Sequence, residues 1–235
     1  MHTCSAVYNA PNDSHRAKNC SNTVKLNSFI MPSTKTYPIT LEISGPTALW
    51  TRADTGSSPT SSVVPPFSAV KGIFESVLRW KSVNVRPTKV EICRPTEFHR
   101  YVTNYGGPLR SSKAMKKGAS FQSCAVVLVN VCYRLYANAE FAAHHSSTTS
   151  PPHAFQEAFN RALNRGSWFT VPTLGLRDFA PDYVGPFRPE TAVCETENHD
   201  IPTLLRMVFD KPQSGKVKPT FSRNLKVEKG VLIYA

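Results

Sequence analysis

The sequence has few acidic residues, few glycines and no long hydrophobic run. Of its 235 residues, 16 are Asp or Glu, against 28 Lys or Arg, and 11 are Gly. No stretch approaches the roughly 20 apolar residues of a membrane helix, and residues 1–36 lack the apolar run of a signal peptide. These absences argue against membrane and secreted proteins, so we expect a cytoplasmic protein with no membrane partner.

The cysteines do not occur at spacings that bind metal. The six are Cys4, Cys20, Cys93, Cys124, Cys132 and Cys194, with no CxxC pair and no histidine at ligand spacing. Structural zinc sites need such pairs. GxGxxG, P-loop and GxSxG motifs are also missing from the sequence. We therefore predict no metal and no cofactor, and a reducing environment in which the thiols stay free.

The positive charge is concentrated in one quarter of the chain. Residues 61–120 contain 11 basic and 3 acidic side chains, which is +8 of the formal net charge of +12. Trp80, Phe98, Tyr101 and Tyr105 are interleaved with these cations. Cations pair with phosphates, and flat rings beside them stack on unpaired bases. The block therefore indicates RNA binding, and a basic face that serves only solubility is the alternative.

Hydrophobic periodicity predicts a mixed α and β fold. Strands are expected at 37–43, 88–93, 121–141, 203–209 and 231–234, and helices at 67–78 and 155–165, the second ending at Gly166. The longest strand should be central, with Val127, Val129, Val131, Tyr133 and Leu135 on one face and Asn130, Cys132 and Arg134 on the other.

The order β-α-β-β-α-β of these elements is the ferredoxin-like arrangement, which RNA-recognition-motif-like proteins share. We predict an α+β fold with a basic β-hairpin insertion at 94–120. Residues 1–36 would form a flexible N-terminal extension, 37–185 the RNA-binding domain and 186–235 a β-rich C-terminal extension.

Three segments resemble the CRISPR-associated Cas-five family of the RAMP superfamily, in particular its subtype I-C branch. The segment 43–54, ISGPTALWTRAD, resembles the family's first strand and the turn after it. Residues 64–81 are similar to the family's first helix, with VPPFSAVKGIFESVLRWK ending in Trp-Lys. Residues 153–180 resemble its second helix and the LGLRDF stretch that follows. The resemblance extends over about residues 37 to 180.

This resemblance implies a subunit of a type I CRISPR Cascade effector that holds the 5′ handle of the crRNA. Its partners would be crRNA or pre-crRNA, the Cas-seven backbone subunit, the large Cascade subunit and, through the assembled complex, target DNA. In the I-C branch the family also cleaves the pre-crRNA repeat without a metal. A base then activates the 2′-hydroxyl, an acid protonates the 5′-oxygen and a cation stabilises the phosphorane.

The catalytic positions that the resemblance implies are only partly retained. The family's helix-one Tyr falls on Leu78 or Arg79, its Lys falls on Pro152, and only its His is present, as His153. Side chains in loops can take the missing roles, and the candidates are Tyr105, Tyr101, His144, His145 and Lys113. The residues expected to contact RNA are Arg52, Lys71, Arg79, Lys81, Arg100, Arg110, Lys113, Lys116 and Lys117.

Two alternatives stay open at this point. The replaced residues at positions 78 and 152 favour a purely structural Cascade subunit whose crRNA is trimmed by a separate nuclease. Composition alone equally permits a basic RNA-binding module outside CRISPR, because net charge and scattered aromatic residues are common to many RNA-binding proteins.

Overall fold

The computed structural model describes residues 36–105, 112–116, 121–142, 151–210 and 216–234. The elements in this part of the chain are β1 (Tyr37–Ala48), α1 (Phe67–Val77), β2 (Val83–Ile92), β3 (Glu97–Tyr105), α2 (Ser112–Lys116), β4 (Phe121–Phe141), α3 (Pro151–Arg165), β5 (Tyr183–Gly185), β6 (His199–Asp210), β7 (Lys216–Val227) and β8 (Val231–Ile233). The fold is therefore a mixed α and β fold, built around antiparallel sheets.

Strand β4 is the centre of the main sheet, as the sequence predicts. The strand order is β5-β1-β4-β2-β8, and β3 also pairs with β4. Residues 133–141 of β4 pair with β2, and residues 121–129 pair with β3. Strand β4 therefore runs through the sheet and continues into a long hairpin with β3, which lies in the predicted insertion at 94–120.

Helices α1 and α3 pack side by side against the sheet. The apolar stripe of α1 is buried, including Phe67, Val70, Phe74 and Val77. From α3, Phe159 is fully buried, and its ring centroid lies 5.6 Å from that of Phe74. The three- and four-residue spacing of these apolar side chains places them on one helix face. It is this spacing that predicted both helices, and both are present.

Helix α1 ends one residue earlier than its apolar spacing predicts. Leu78 has an extended backbone with φ −148° and ψ 133°. Arg79, Trp80 and Lys81 consequently follow the helix instead of continuing it. Helix α3 ends at Arg165, and Gly166, with φ +65°, takes the left-handed conformation that closes it, as predicted.

The C-terminal strands differ from the prediction. The predicted strand at 203–209 belongs to β6, which pairs with β7 in a separate two-stranded sheet and not with the main sheet. The position beside β1 is held by β5, whose three residues pair with residues 42–44. Strand β5 has only three residues, which are too few to show an alternating pattern in the sequence. The alternation in β6 predicts a strand, but it does not show which sheet the strand joins.

Two further differences have local causes. Strand β2 begins at Val83 and not at residue 88, because Pro87 lies at a register shift and does not end the strand. Along β4 the predicted alternation fails between Val127 and Asn130, since Val127 and Leu128 are both buried and Asn130 has φ +53°. Asparagine tolerates this left-handed backbone better than most residues. Within the described residues, no helix is long and apolar enough to span a membrane.

Candidate nucleic-acid interface

A cleft of about 810 Å³ lies where α1 and the residues after it meet β2, the end of β4, α3 and the β6–β7 hairpin. Six cationic residues line it: Lys71, Arg79, Lys81, Arg86, Arg206 and Lys218. The one carboxylate among the lining residues is that of Glu75. Apart from Lys71, these cations come from the irregular stretch after α1, from β2 and from the hairpin. Tertiary folding brings them together.

Aromatic side chains form the apolar part of the same cleft. They are Phe67, Trp80, Phe141, Phe155 and Phe209. The Trp80 and Phe155 rings meet edge to face, with centroids 5.5 Å apart, and the Arg206 guanidinium carbon lies 4.9 Å from the centre of the Phe67 ring. Phe141 and Phe209 are each about half exposed, at 51% and 55%. The cleft thus presents cations and open ring faces together.

Two of the six cations are held by neighbours. The buried Lys71 ammonium donates to Asn84 Oδ1 at 2.5 Å and lies 3.8 Å from Glu75. Arg86 lies 3.6 Å from Glu140, with both side chains largely exposed. An exposed pair of this kind contributes little to stability, so Arg86 can exchange its partner for another anion.

The cleft therefore contains three of the residues that the sequence analysis assigned to RNA, namely Lys71, Arg79 and Lys81. Arg52 is not among its lining residues and lies in the loop after β1, where its guanidinium pairs with Asp54 at 2.6 Å. The hydrogen bond from Arg52 lowers the pKa of the Asp54 carboxyl, which keeps this partner charged. Much of the Arg52 charge is thereby balanced locally.

The remaining assigned cations lie on the β3–β4 hairpin or outside the described residues. Arg100 pairs with Val126 of β4, whereas Arg86, which lines the cleft, pairs with Asn138 of the same strand. Val126 and Asn138 are twelve residues apart, so Arg100 and Arg86 are separated by on the order of 40 Å along β4. Lys113 and Lys116 are exposed on α2. Tyr105 is the last residue of β3, while Arg110, Lys117, His144 and His145 lie outside the described residues.

His153 lies in the first turn of α3 and is exposed. Its Nε2 is 3.5 Å from Glu157 Oε1, and its ring meets that of Tyr37 edge to face at 6.0 Å between centroids. Tyr37 pairs with Ala139 on β4, close to the strand end that contributes to the cleft, and Phe155 of α3 lines the cleft itself. The imidazole, a phenol and a carboxylate are therefore neighbours, and none of the three lines the cleft.

The sequence analysis missed three cations of the cleft and the partner of His153. Arg86 lies outside the predicted bounds of its strand, and Arg206 and Lys218 belong to the hairpin that was not predicted. Tyr37 was assigned only to a strand. The alternation of residues 83–87 could have extended the predicted strand β2 across Pro87. No sequence pattern predicts that β6 and β7 lie beside α1.

A second polar cluster lies on the sheet face that α1 and α3 do not cover. Glu42 is fully buried and accepts hydrogen bonds from Arg188 Nε at 2.6 Å, the Arg188 backbone N–H at 3.0 Å and Thr191 Oγ1 at 2.9 Å. Arg134 Nε lies 3.5 Å from the same carboxylate. Burial raises the pKa of Glu42, but the donors of Arg188 and Thr191 lower it more, so the net shift is downward.

These groups do not form a metal centre. In the part of the chain that the structure describes, no three His, Cys, Asp or Glu side chains lie close enough to hold a metal ion. The cluster around Glu42 contains two arginines, which repel a cation. Its evident role is structural, because it fixes residues 188–191 against β1 and β4.

Comparisons with known proteins identify the family. A family model for CRISPR-associated Cas5 proteins, of the Cas5d type, matches residues 39–225. A protein of Thermus thermophilus, named CRISPR pre-crRNA endoribonuclease Cas5d, is 26% identical over 186 residues, which cover 78% of each chain.

Two solved structures have a similar fold. One is a CRISPR-associated protein with 18% identity and a TM-score of 0.63, which covers 84% of this chain and 91% of that one. Another is a functionally uncharacterised protein of Streptococcus mutans with 16% identity and a TM-score of 0.63, covering 84% and 92%. At these identities the likeness concerns the fold alone. Because the family model matches most of its length, this chain belongs to the CRISPR-associated Cas5 family, the Cas-five family that its sequence resembles.

Proposed function

We propose that this protein binds the 5′ handle of a crRNA in the cationic cleft, as a subunit of a type I, subtype I-C, CRISPR Cascade effector. The observation that carries the proposal is the convergence of six cations and five aromatic rings on one cleft with a single carboxylate. Cations there neutralise phosphates, and exposed rings stack on bases that are not paired. Single-stranded RNA meets both requirements.

The topology supports the same proposal. The strand order β5-β1-β4-β2 has β1 and β4 in the middle, with α1 between β1 and β2 and α3 between β4 and β5. This order supports the ferredoxin-like core that we propose, with β3 and α2 as the insertion. We infer the domain division 37–185 and 186–235 on this basis, although the β6–β7 hairpin of the second part completes the cleft.

The partners follow from the family and stay proposals. They are crRNA or pre-crRNA, the Cas-seven backbone subunit, the large Cascade subunit and target DNA through the assembled complex. Arg100 on β3 and Lys113 and Lys116 on α2 are exposed and do not line the cleft, and we call them the hairpin surface. We propose that this surface contacts RNA outside the segment held in the cleft.

The test measures how salt weakens binding of single-stranded repeat RNA. For single strands the slope of log K against log salt falls by about 0.7 for each phosphate that the protein no longer neutralises. The double variant Arg79→Gln, Lys81→Gln should therefore reduce the slope by about 1.4. The matched control, Arg223→Gln with Lys226→Gln, removes the same two charge types from exposed positions of β7 that do not line the cleft.

A second pair of variants tests base stacking in the cleft. Phe209→Ala should weaken binding by about 1 to 3 kcal/mol if a base stacks on this ring. Phe221→Ala is the control, because this ring is also exposed on the same hairpin but does not line the cleft. Equal effects of each variant and its control would reject the cleft as the RNA site. The charge reversal Lys113→Glu, Lys116→Glu tests the hairpin surface separately.

Cleavage of the repeat RNA is the second candidate function, and the surroundings of His153 favour it. An imidazole can take the proton of the 2′-hydroxyl or give one to the 5′-oxygen. Attack of the 2′-oxygen on phosphorus breaks the bond to the 5′-oxygen and leaves a 2′,3′-cyclic phosphate. Glu157 can hold the imidazole in one orientation, and the Tyr37 phenol is the nearby group able to exchange a proton.

Repeat RNA incubated with the protein in EDTA distinguishes the two candidates. A cyclic-phosphate product, lost in His153→Ala and reduced in Tyr37→Phe at unchanged RNA affinity, supports cleavage. The control His99→Ala removes an exposed imidazole from β3 and should retain full activity. No product from the wild-type protein would leave a purely structural RNA-binding subunit.

A further inference from the structure

We propose that Cys93 and Cys132 form a reversible disulfide that joins β2 to β4 at the base of the β3–β4 hairpin. Both residues lie outside the cleft, so this modification site does not rest on the proposed function. The sequence analysis treated both cysteines as thiols that stay free. The strand register, however, places them side by side.

The geometry of the sheet brings the two thiols together. Pairing of β2 with β4 ends at Ile92 and Tyr133, so Cys93 and Cys132 are the next opposite pair. The Cys93 backbone N–H donates to the Cys132 carbonyl at 2.9 Å. Opposite residues of antiparallel strands have Cα atoms about 4.5 to 5.5 Å apart, within the usual range for a disulfide of about 4.4 to 6.8 Å.

The side chains of this pair share one sheet face, as opposite residues of paired strands do. The Cys93 and Cys132 thiols lie close enough for each to shift the pKa of the other. Cys132 is buried, whereas Cys93 is half-buried and lies nearer to solvent. The Cα separation expected for opposite residues lets a disulfide form here without rearrangement of the two strands.

The surroundings make Cys132 the nucleophile and Cys93 the resolving thiol. The hydrogen bond from the Cys93 thiol lowers the pKa of Cys132, whereas burial and the Glu42 carboxylate, whose Oε1 lies 3.7 Å from Cys132 Sγ, raise it. Arg188 and Arg94 also lower this pKa, and the net shift is downward. Arg188 Nη2 lies 3.8 Å from Cys132 Sγ. The same hydrogen bond, followed by burial, raises the pKa of Cys93. A thiolate beside a protonated partner is the arrangement of reactive cysteine pairs.

We propose a peroxide as the class of oxidant, because a thiolate attacks it directly. The Cys132 thiolate attacks one peroxide oxygen and breaks the O–O bond, which gives a sulfenic acid and, with a proton, water. Cys93 sulfur then attacks Cys132 sulfur, and the sulfenic oxygen leaves as a second water with the Cys93 proton. Two thiols lose two electrons, and hydrogen peroxide becomes two waters.

The bond would form where β4 changes its partner on one edge. Strand β3 begins to pair with β4 only at Val129, so on this edge residues 130–132 lie between the β2 and β3 ladders, while β1 pairs with Val131 and Cys132 on the other edge. Asn130 there has the left-handed φ of +53°, and its side chain accepts a hydrogen bond from Arg94. A disulfide here would link β2 covalently to β4 next to the first residues of the β3–β4 hairpin, between whose strands Lys113 and Lys116 lie.

The experiment treats the reduced full-length protein with hydrogen peroxide, blocks free thiols and maps the peptides by mass spectrometry. Trypsin releases Cys93 in Val90–Arg100, because the bond from Arg94 to Pro95 resists cleavage. It releases Cys132 in Gly118–Arg134, which also contains Cys124, so the experiment uses the Cys124→Ser background. We expect the linked pair of peptides to be the main oxidised product and dithiothreitol to reverse it fully.

The matched control is Cys194→Ser, which removes a half-buried thiol whose backbone N–H bonds Ile92 on the other edge of β2. This variant should give the linked peptides at the wild-type rate. Cys93→Ser should lose them and retain the wild-type melting temperature in the reduced state. The proposal is overturned if Cys93 and Cys132 are alkylated in full after peroxide, or if they link to Cys194 as readily as to each other.

Discussion

The substitution Glu42→Gln tests whether the buried carboxylate fixes residues 188–191 to the sheet. Glu42 has no solvent-exposed surface and accepts two hydrogen bonds from Arg188, one from Thr191 and a longer one from the Cys132 thiol. Gln keeps the size of the side chain but removes the charge, and it turns an N–H group towards one of these donors. Arg188 and Arg134 then lose their common anion in a poorly solvated position.

We expect Glu42→Gln to lower the free energy of unfolding by a large amount, although the substitution changes only a few atoms. Hydrogen bonds to charged groups contribute about 1.5 to 3 kcal/mol each, and removal of one partner of a buried ion pair costs about 3 to 5 kcal/mol in total. Arg188 is 28% and Arg134 17% exposed in the side chain, so water recovers part of this loss. We expect the free energy of unfolding to fall by about 3 kcal/mol at pH 7.

The pH dependence gives a second observable. The pKa of Glu42 in the folded protein lies below its ordinary value of 4.5. A carboxyl whose folded pKa is depressed stabilises the protein above its unfolded pKa, and this contribution disappears as the pH falls through the folded pKa. Wild-type stability should therefore decline from about pH 4.5 downwards, and Glu42→Gln should lack this part of the decline.

Urea unfolding, followed by circular dichroism between pH 3 and pH 7, measures both effects. The control Glu140→Gln removes an exposed carboxylate that lies 3.6 Å from Arg86 on neighbouring strands. It should cost less than about 1 kcal/mol, because exposed ion pairs are weak. If Glu42→Gln cost no more than this control, or kept the full acid dependence, the structural role of Glu42 would be refuted.

The other predictions concern backbone space and oxidation. Gly175→Ala should cost about 3 kcal/mol or more in urea unfolding, because φ is +106° and a Cβ would overlap the Leu49 carbonyl; a loss below about 1 kcal/mol contradicts it. Gly72→Ala should stabilise by about 0.5 to 1 kcal/mol, since a Cβ at this position of α1 meets nothing within 4 Å. Linking Cys93 to Cys132 closes a loop of about 40 residues and should stabilise by up to about 4 kcal/mol; an unchanged urea midpoint would contradict it.

Helices and strands could be predicted from the sequence, because each depends on residues that are close together in the chain. The apolar period of α1 matches its buried face, and β4 alternates between buried and half-buried residues from Tyr133 to Glu140. Gly166 ends α3 with the left-handed backbone that glycine favours. The family resemblance used the same local segments. The comparisons confirm this assignment.

The pairing partners of β5 and β6 could not be predicted from the sequence. The alternation in β6 predicts a strand but does not say which partner it joins, and β5 is too short for any period to appear. The same limit applies to the cleft, where Arg206 and Lys218 join Arg79 only because the hairpin folds back beside α1. Three cations of the cleft were therefore named from the sequence and three were not.

The sequence alone determined the helices, the long central strand, the basic character and the family, because periodicity and motif spacing depend on residues close in the chain. Only the tertiary structure decided that the cations form two separate surfaces, that Tyr37 lies beside His153, and that Cys93 lies opposite Cys132. Each of these follows from strand pairing and packing between distant segments. A contact between distant segments depends on how the whole chain buries its apolar faces. A local sequence pattern therefore does not predict it.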